Sequence, residues 1–332
     1  MKRRAFIKFI GGAAALWSQA ASAQNPGGVR RIGILLSLAE SDPEGKAQLA
    51  GFMQGLAELG WVDGRNLQTE IRWGRGDVDR IRDFAKELVA LRPDVIVAHG
   101  TPVTAALHQE TRTIPIVFVT VSDPVGDGFV TGLPHPGGNI TGFLTSESAI
   151  TAKMLELLTE IAPGLKRVAM LFNPETAPGH GAYYLPDFEV AARSTNIEPI
   201  AARARSDGEI EAAVTSLGKE PGGGLIVTPD YFMLNHIRAI TLLVARNNVP
   251  AIYPWRSVVV TDGALVSYGP DLSDNVRRGA PYVDRILRGE KPADLPVQVP
   301  VKFEMAVNAR TAKALGLTVP PSIRTLADEV IE

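Results

Sequence analysis

Apolar residues in this chain fall into short runs of strand length that alternate with stretches of helical spacing. "RIGILLS" (31–37) has the continuous aliphatic character of a strand buried on both faces. The next stretch, "EGKAQLAGFMQGLAELG", sets Leu49, Phe52, Met53, Leu56 and Leu59 on one helical face, and Gly60 stops it. The cycle continues with strand "LQTEIRW", helix "DVDRIRDFAKELVAL" capped at Asp77, strand "DVIVAH", helix "PVTAALHQET" and strand "IPIVFVT". Alternation of this kind predicts a parallel sheet wrapped by helices. Segment 122–143, "SDPVGDGFVTGLPHPGGNITGF", is too rich in glycine and proline for one regular element.

Beyond that segment the alternation restarts. Helix "ITAKMLELLTEIA" leads to strand "RVAMLFN", "LPDFEVAARST" to "IEPIAA", "DGEIEAAVTSLG" to "GLIVTPD", and "MLNHIRAITLLVARN" to "VPAIYP". The tail supplies a strand, a long helix, an extended proline-rich piece and a short helix, and reads as a return to the first lobe and back. The expected fold class is α/β, two doubly wound parallel-sheet lobes joined by a three-strand hinge. The lobes are expected at 29–142 plus 270–298 and at 143–269 plus 299–332, with crossings near 141–143, 268–270 and 296–301.

Composition adds an address. Lys2, Arg3, Arg4 and Lys8 form a basic head, 10–16 a short apolar run, and Ala21-Ser22-Ala23 a small-residue cleavage site. Residues 1–23 thus read as an export signal, and Arg3-Arg4-Ala5-Phe6-Ile7-Lys8 is similar to a twin-arginine signal. Its apolar part is shorter than the roughly 20 residues a membrane span needs. The chain of 332 residues has no cysteine, which excludes disulfides, thiolate nucleophiles, cysteine metal sites and a lipidated mature N-terminus. A Gram-negative periplasm is the expected compartment. Loss of the signal takes the formal charge from −2 to about −6, no Lys/Arg block stands out, and nucleic acid is not an expected partner.

In open parallel sheets ligands sit beyond the carboxyl ends of strands. Gly100, Thr101 and Pro102 join strand "DVIVAH" to its helix there. A helix N-terminus with a glycine for close approach is a seat for an anion, here an α-carboxylate; alternatively Thr101 caps its own helix. Ser37 and Leu38 follow the first strand, and Ser122 and Asp123 the fourth. Asn173, Thr228, Asp230, Tyr253 and Trp255 end strands of the second lobe. An ammonium group needs a carboxylate: Asp230 is the first candidate and Asp123 the second, although Asp123 before Pro124 reads equally as a turn residue. Tyr231, Phe232, Tyr253, Trp255 and Tyr268 are candidate apolar walls. Trp61 and Trp73 are expected in core or surface, Tyr183-Tyr184 in a lid or a surface patch, and His99 as a buried supporting histidine.

The segments "GTPVTAAL", "IPIVFVTVSDPVGDGFV", "PGGNITGF", "VPAIYPWR", "GALVSYGPDL", "RILRGEKPADLPVQVP", "KFEMAVNARTAKALGLTVPPS" and "ADEVIE" span nearly the whole chain from Arg31 to Glu332. Together they resemble the ABC-transporter substrate-binding proteins of the tryptophan/tyrosine-type group, which have the type I periplasmic-binding fold. The resemblance implies a small ligand, an amino acid or related carboxylate, captured between lobes and delivered to an ABC permease in the inner membrane. A monomer without cofactor is expected. The competing classes are a periplasmic sensor and a bilobal α/β transferase. Against the latter, no nucleophile elbow, phosphate-binding loop or dinucleotide fingerprint is present, and the five histidines lack metal-ligand spacing.

Overall fold

The computed structural model describes residues 28–332, so the expected export signal lies outside the described residues. The first unit runs β1 (Arg30–Leu36), α1 (Pro43–Glu58), β2 (Leu67–Trp73), α2 (Val78–Ala90), β3 (Val95–His99), α3 (Thr101–Glu110), β4 (Ile116–Val121) and β5 (Ile140–Leu144). The second begins with α4 (Ile150–Ile161), β6 (Arg167–Phe172), α5 (Leu185–Ser194), β7 (Glu198–Arg203) and α6 (Asp207–Gly218). It continues with β8 (Gly223–Val227), α7 (Tyr231–Asn235), α8 (Ile237–Arg246), β9 (Ala251–Tyr253), α9 (Arg256–Asp262) and β10 (Val266–Pro270). Helix α10 (Leu272–Leu287) packs back on the first unit, and β11 (Phe303–Asn308), α11 (Ala309–Ala314), α12 (Pro321–Leu326) and β12 (Glu329–Ile331) return to the second.

Two α/β lobes result. The first sheet has order β2-β1-β3-β4-β5 and is parallel throughout. The second has order β12-β11-β10-β9-β8-β6-β7, parallel but for the β10–β11 pair. Period-two alternation feeds both faces of each sheet. In β1, Ile32, Ile34 and Leu36 meet Phe52 and Leu56 of α1 and Val276 and Val283 of α10. Leu35 turns to Ile81 and Leu88 of α2 and Leu107 of α3. In β6, Val168, Met170 and Phe172 pack with α4 and α5, while Leu171 packs with Ile210 of α6 and Ile240 of α8. Each such aliphatic side chain removed from water stabilises the fold by roughly 1.5–3 kcal/mol.

Three chain segments connect the lobes, and hydrogen bonds hold them side by side. Residues 141–143, expected as the first crossing, lie within β5, because Ile140–Leu144 pairs with β4 along its length; the chain leaves that sheet after Leu144. The return segment donates Gln298 N to Gly142 O at 2.9 Å and receives Leu144 N at Gln298 O at 2.8 Å. Asp271 N donates to Lys302 O at 3.0 Å, tying the second connection to the third. Buried Asn275 of α10 donates Nδ2 to Leu144 O at 2.9 Å. The helix expected as one piece over 233–247 is two, α7 and α8, broken at His236. Tyr183 and Tyr184 form neither lid nor surface patch. They stack edge to face at 4.9 Å, and Tyr184 is fully buried against α4 and α5.

Candidate functional site

The carboxyl ends of the two sheets face one another across a cavity. On the first-lobe side it is lined by Leu38 after β1, Thr101 at the start of α3, and Thr120 and Ser122 at the end of β4. On the second-lobe side it is lined by Thr176, Pro229, Asp230, Tyr231 and Trp255. Helix α3 is capped by Gly100 at φ 97° with no side-chain cap, whereas α1 and α7 carry the acidic caps Asp42 and Asp230. Thr101 therefore does not cap its own helix. It stands at the first helical position and lines the cavity.

Tyr231 of α7 crosses the cleft. Its phenol oxygen lies 3.4 Å from Thr120 Oγ1 and sits over Gly100, where a Cβ would collide with it. The space before Gly100, expected to await an anion, is thus filled by a side chain of the opposite lobe. Glycine is required there both for its positive φ and for that contact. Thr120 has φ 60°, an uncommon conformation for a β-branched residue that costs about 1–2 kcal/mol. The β4–β5 register shifts at this residue, between Val119 and Val121, and such a bulge re-aims a side chain, here into the cavity.

A buried polar chain lines the first-lobe wall. Ser37 Oγ is 3.2 Å from His99 Nδ1, and His99 Nε2 is 2.9 Å from Gln48 Oε1. Gln48 Nε2 reaches Glu44 Oε1 at 3.4 Å, and Ser257 Oγ of the second lobe reaches Glu44 Oε2 at 3.4 Å. A carboxylate only accepts, so Gln48 donates to Glu44 and its carbonyl accepts from His99 Nε2–H. Nδ1 then accepts from Ser37, and the imidazole is neutral. Burial agrees, lowering the His99 pKa to about 4. Glu44 is raised, by burial first and then by the neighbouring charge of Asp42.

Of the residues named from sequence, Leu38, Thr101, Ser122, Asp230, Tyr231 and Trp255 line the cavity. Ser37 and Gly100 lie one contact behind it, on His99 and Tyr231. Pro102 occupies the first turn of α3 without lining the cavity. Asp123 takes the turn role, accepting Gly126 N at 2.8 Å. Asn173 and Thr228 position Asp230: Oδ2 accepts from Asn173 N and Thr228 Oγ1, and Oδ1 from Thr176 Oγ1 and Met233 N. The single Thr228 proton is shared with Leu171 O, and burial raises the Asp230 pKa against the pull of these donors. Two expected walls are elsewhere. Tyr253 points into the core between the second sheet and α8, and Tyr268 stacks on Phe303 at 5.6 Å on the α4 side. In each case sheet alternation turns the ring to a helix-covered face.

Sequence reasoning missed Asp42, Glu44 and Gln48, which also line the cavity. Asp42 and Pro43 opening a helix are a legible start signal, and that start follows directly on β1.

Comparison with known proteins matches the architecture. The family model described as ABC transporter substrate binding protein covers residues 33–331. A tyrosine-binding protein of Clostridioides difficile is 28% identical over 268 residues, 80% of this chain and 76% of that protein. The structure of an ABC domain in complex with L-Trp from Streptococcus pneumonia superposes with TM-score 0.82 at 25% identity, covering 91% of this chain and 99% of that one. The ligand-free, open structure of a substrate binding protein with adhesive properties from Clostridium difficile superposes with TM-score 0.71 at 26% identity over the same shares. With two α/β lobes, a cavity between their sheet ends and a family match over nearly its whole length, this chain belongs to the ABC transporter substrate-binding proteins of type I periplasmic-binding fold.

Proposed function

We propose that this protein is the solute receptor of an ABC importer, binding an amino acid with an apolar, aromatic-sized side chain between its lobes and handing it to a membrane permease. The observation that carries the reading is the cavity itself, which takes Thr101, Thr120 and Ser122 from one sheet and Asp230, Tyr231 and Trp255 from the other. A solute touching both sets stabilises the lobes together, which is how ligand affinity and closure become linked. The better superposition on the L-Trp complex than on the open relative, at nearly equal identity, supports reading this arrangement as the closed one. Trp255 and Leu272 supply apolar surface for the side chain, and the hydroxyls of Thr101 and Ser122 supply donors for a carboxylate. The basic, then apolar, then small-residue pattern of 1–23 supports export to the periplasm. No helix among the described residues is long and apolar enough to cross a membrane.

Thermal unfolding of the purified mature protein with a panel of amino acids tests this reading. A ligand at 100 times its dissociation constant adds about 2.7 kcal/mol, a shift of several degrees. Stabilisation by aromatic or large aliphatic amino acids is the expected result. A panel in which none shifts the transition would overturn it.

A further inference from the structure

The carboxylates lining the cavity are not equivalent, and their differences say which group of the ligand matters most. Asp42, Glu44 and Asp230 face it, and neither lysine nor arginine is among the described residues that do. Asp230 is already engaged by Asn173 N, Thr176 Oγ1 and Met233 N, and shares the single Thr228 hydroxyl proton with Leu171 O, so little of its accepting capacity is left. Asp42 uses Oδ1 to cap α1, accepting Glu44 N at 2.9 Å and Gly45 N at 3.3 Å; Oδ2 takes no part in the cap. Glu44 receives one contact on each oxygen, from Gln48 and Ser257, both at 3.4 Å and so at the long edge of hydrogen bonding. It is a half-buried carboxylate short of donors.

The direction of the polar chain sharpens the point. From Ser37 through His99 and Gln48 every proton is donated toward Glu44, so this wall presents lone pairs at its end. Among the described residues no group of three such side chains could hold a metal ion. Inside a closed cleft a cation offsets the desolvation of a carboxylate far better than a neutral donor does. The opposite end is weak in cationic character. The space over Gly100 is occupied by the Tyr231 phenol, and what remains for a carboxylate is neutral hydroxyls.

We propose that Glu44, seconded by Asp42, is the seat of the ligand's ammonium group, so that a cationic amine is the obligatory recognition element and the α-carboxylate is dispensable. The inference rests on the reading above that an aromatic-sized solute binds in this cavity. It moves the ammonium partner away from Asp230 and Asp123.

Isothermal titration of the wild-type protein with matched probes tests it without any variant: L-tryptophan, tryptamine and indole-3-propionate, and L-tyrosine, tyramine and 3-(4-hydroxyphenyl)propionate. The amino acid and amine of at least one series should bind, and the acids lacking an amine should not. Glu44→Gln, of equal shape, should weaken the amines at least tenfold while leaving the melting temperature of the unliganded protein unchanged. Asp230→Asn should lower that melting temperature, because it loses acceptors for α7. Binding of the acids with affinity similar to the amino acids, or amine affinity unmoved by Glu44→Gln, would overturn the ammonium seat while leaving the solute-receptor reading intact. Failure of all six probes would overturn the aromatic amino-acid reading and the ammonium seat with it.

Discussion

Replacing His99 by glutamine should flatten the acid limb of the protein's stability curve. The imidazole is 4% exposed and held between Ser37 and Gln48 in a tautomer that requires it to be neutral. Burial sets its folded pKa near 4, against 6.5 for the free side chain. A folded value below the unfolded one means that the unfolded chain binds the proton more readily. The stabilisation is therefore complete above about 6.5 and is lost as the pH falls through about 4. Between about pH 7 and about pH 4.5 this one group should withdraw about 2.5 kcal/mol. Protonation would also turn Nδ1 into a donor facing the Ser37 proton, breaking that hydrogen bond. Urea unfolding of wild type and His99→Gln at both pH values checks this, with the difference between the two proteins as the readout. That difference cancels other groups, including Asp127, whose carboxyl is raised to about 6 by burial and by Asp123 and acts in the opposite sense. The variant starts less stable at neutral pH, having lost ring contacts, but should lose about 2.5 kcal/mol less on acidification. Parallel losses would refute the neutral, buried assignment.

Three further outcomes are expected. Gly100→Ala should cost more than about 2 kcal/mol, since it adds a left-handed φ penalty to a collision with Tyr231; a Tyr231→Ala background should relieve the collision but not the penalty, and additive effects in the double-mutant cycle would refute the contact. Thr120→Gly should cost less than about 0.5 kcal/mol, because relief of the strained φ 60° offsets the lost side chain. Thr141→Gly, which removes a buried hydroxyl donating to Leu295 O at 2.6 Å, should cost about 2 kcal/mol or more; equal costs for the two would show that Thr120 is unstrained. Asn275→Ala should destabilise by about 1–3 kcal/mol by leaving Leu144 O without its buried donor, and an unchanged melting temperature would refute that tie.

Patterns with a local cause were the legible ones. Helices with acidic caps and glycine stops, and strands of continuous β-branched residues, can be read because hydrogen bonding and burial over a few residues determine them; α6 is found at Asp207–Gly218, the limits its pattern predicts. Strands β11 and β12 were not anticipated. "FEMAVN" is short, and β12 has only intermediate burial, so their pairing is set by sheet edges supplied from β10. The site divides the same way. Strand-end position found Leu38, Thr101, Ser122 and Asp230. It failed for Tyr253 and Tyr268 because one residue of register sends a side chain to the opposite face. It failed for Glu44 and Gln48 because they lie on α1, and nothing local says that the start of this helix leans into the cleft. Tyr183-Tyr184 misled for a related reason. Two tyrosines in a loop read as exposed, but Tyr183 Oη finds Ser146 O at 3.1 Å and Tyr184 Oη lies 3.5 Å from Ser146 Oγ, so polar partners just beyond β5 permit burial.

The contrast between the connections and the cleft bears on how a solute would govern the lobes. Where the chain leaves the first sheet, hydrogen bonds are well formed, as at Asn275–Leu144 and Leu144–Gln298, 2.9 and 2.8 Å. Across the cleft the side-chain hydrogen bonds Tyr231–Thr120 and Glu44–Ser257 are both 3.4 Å long, at the edge of hydrogen-bonding distance, where each contributes little. On the proposed reading, lobes joined firmly at one side and weakly across the other differ little in free energy between open and closed arrangements. A solute then governs the balance only through affinity that differs between them. Glu44 and Tyr231 are where such a difference concentrates, since each belongs to one lobe and touches the other. On the proposed reading, an ammonium group placed at Glu44 draws on a carboxylate whose donors are incomplete only while the cleft is shut, so the charge that selects the ligand is also the charge that favours closure.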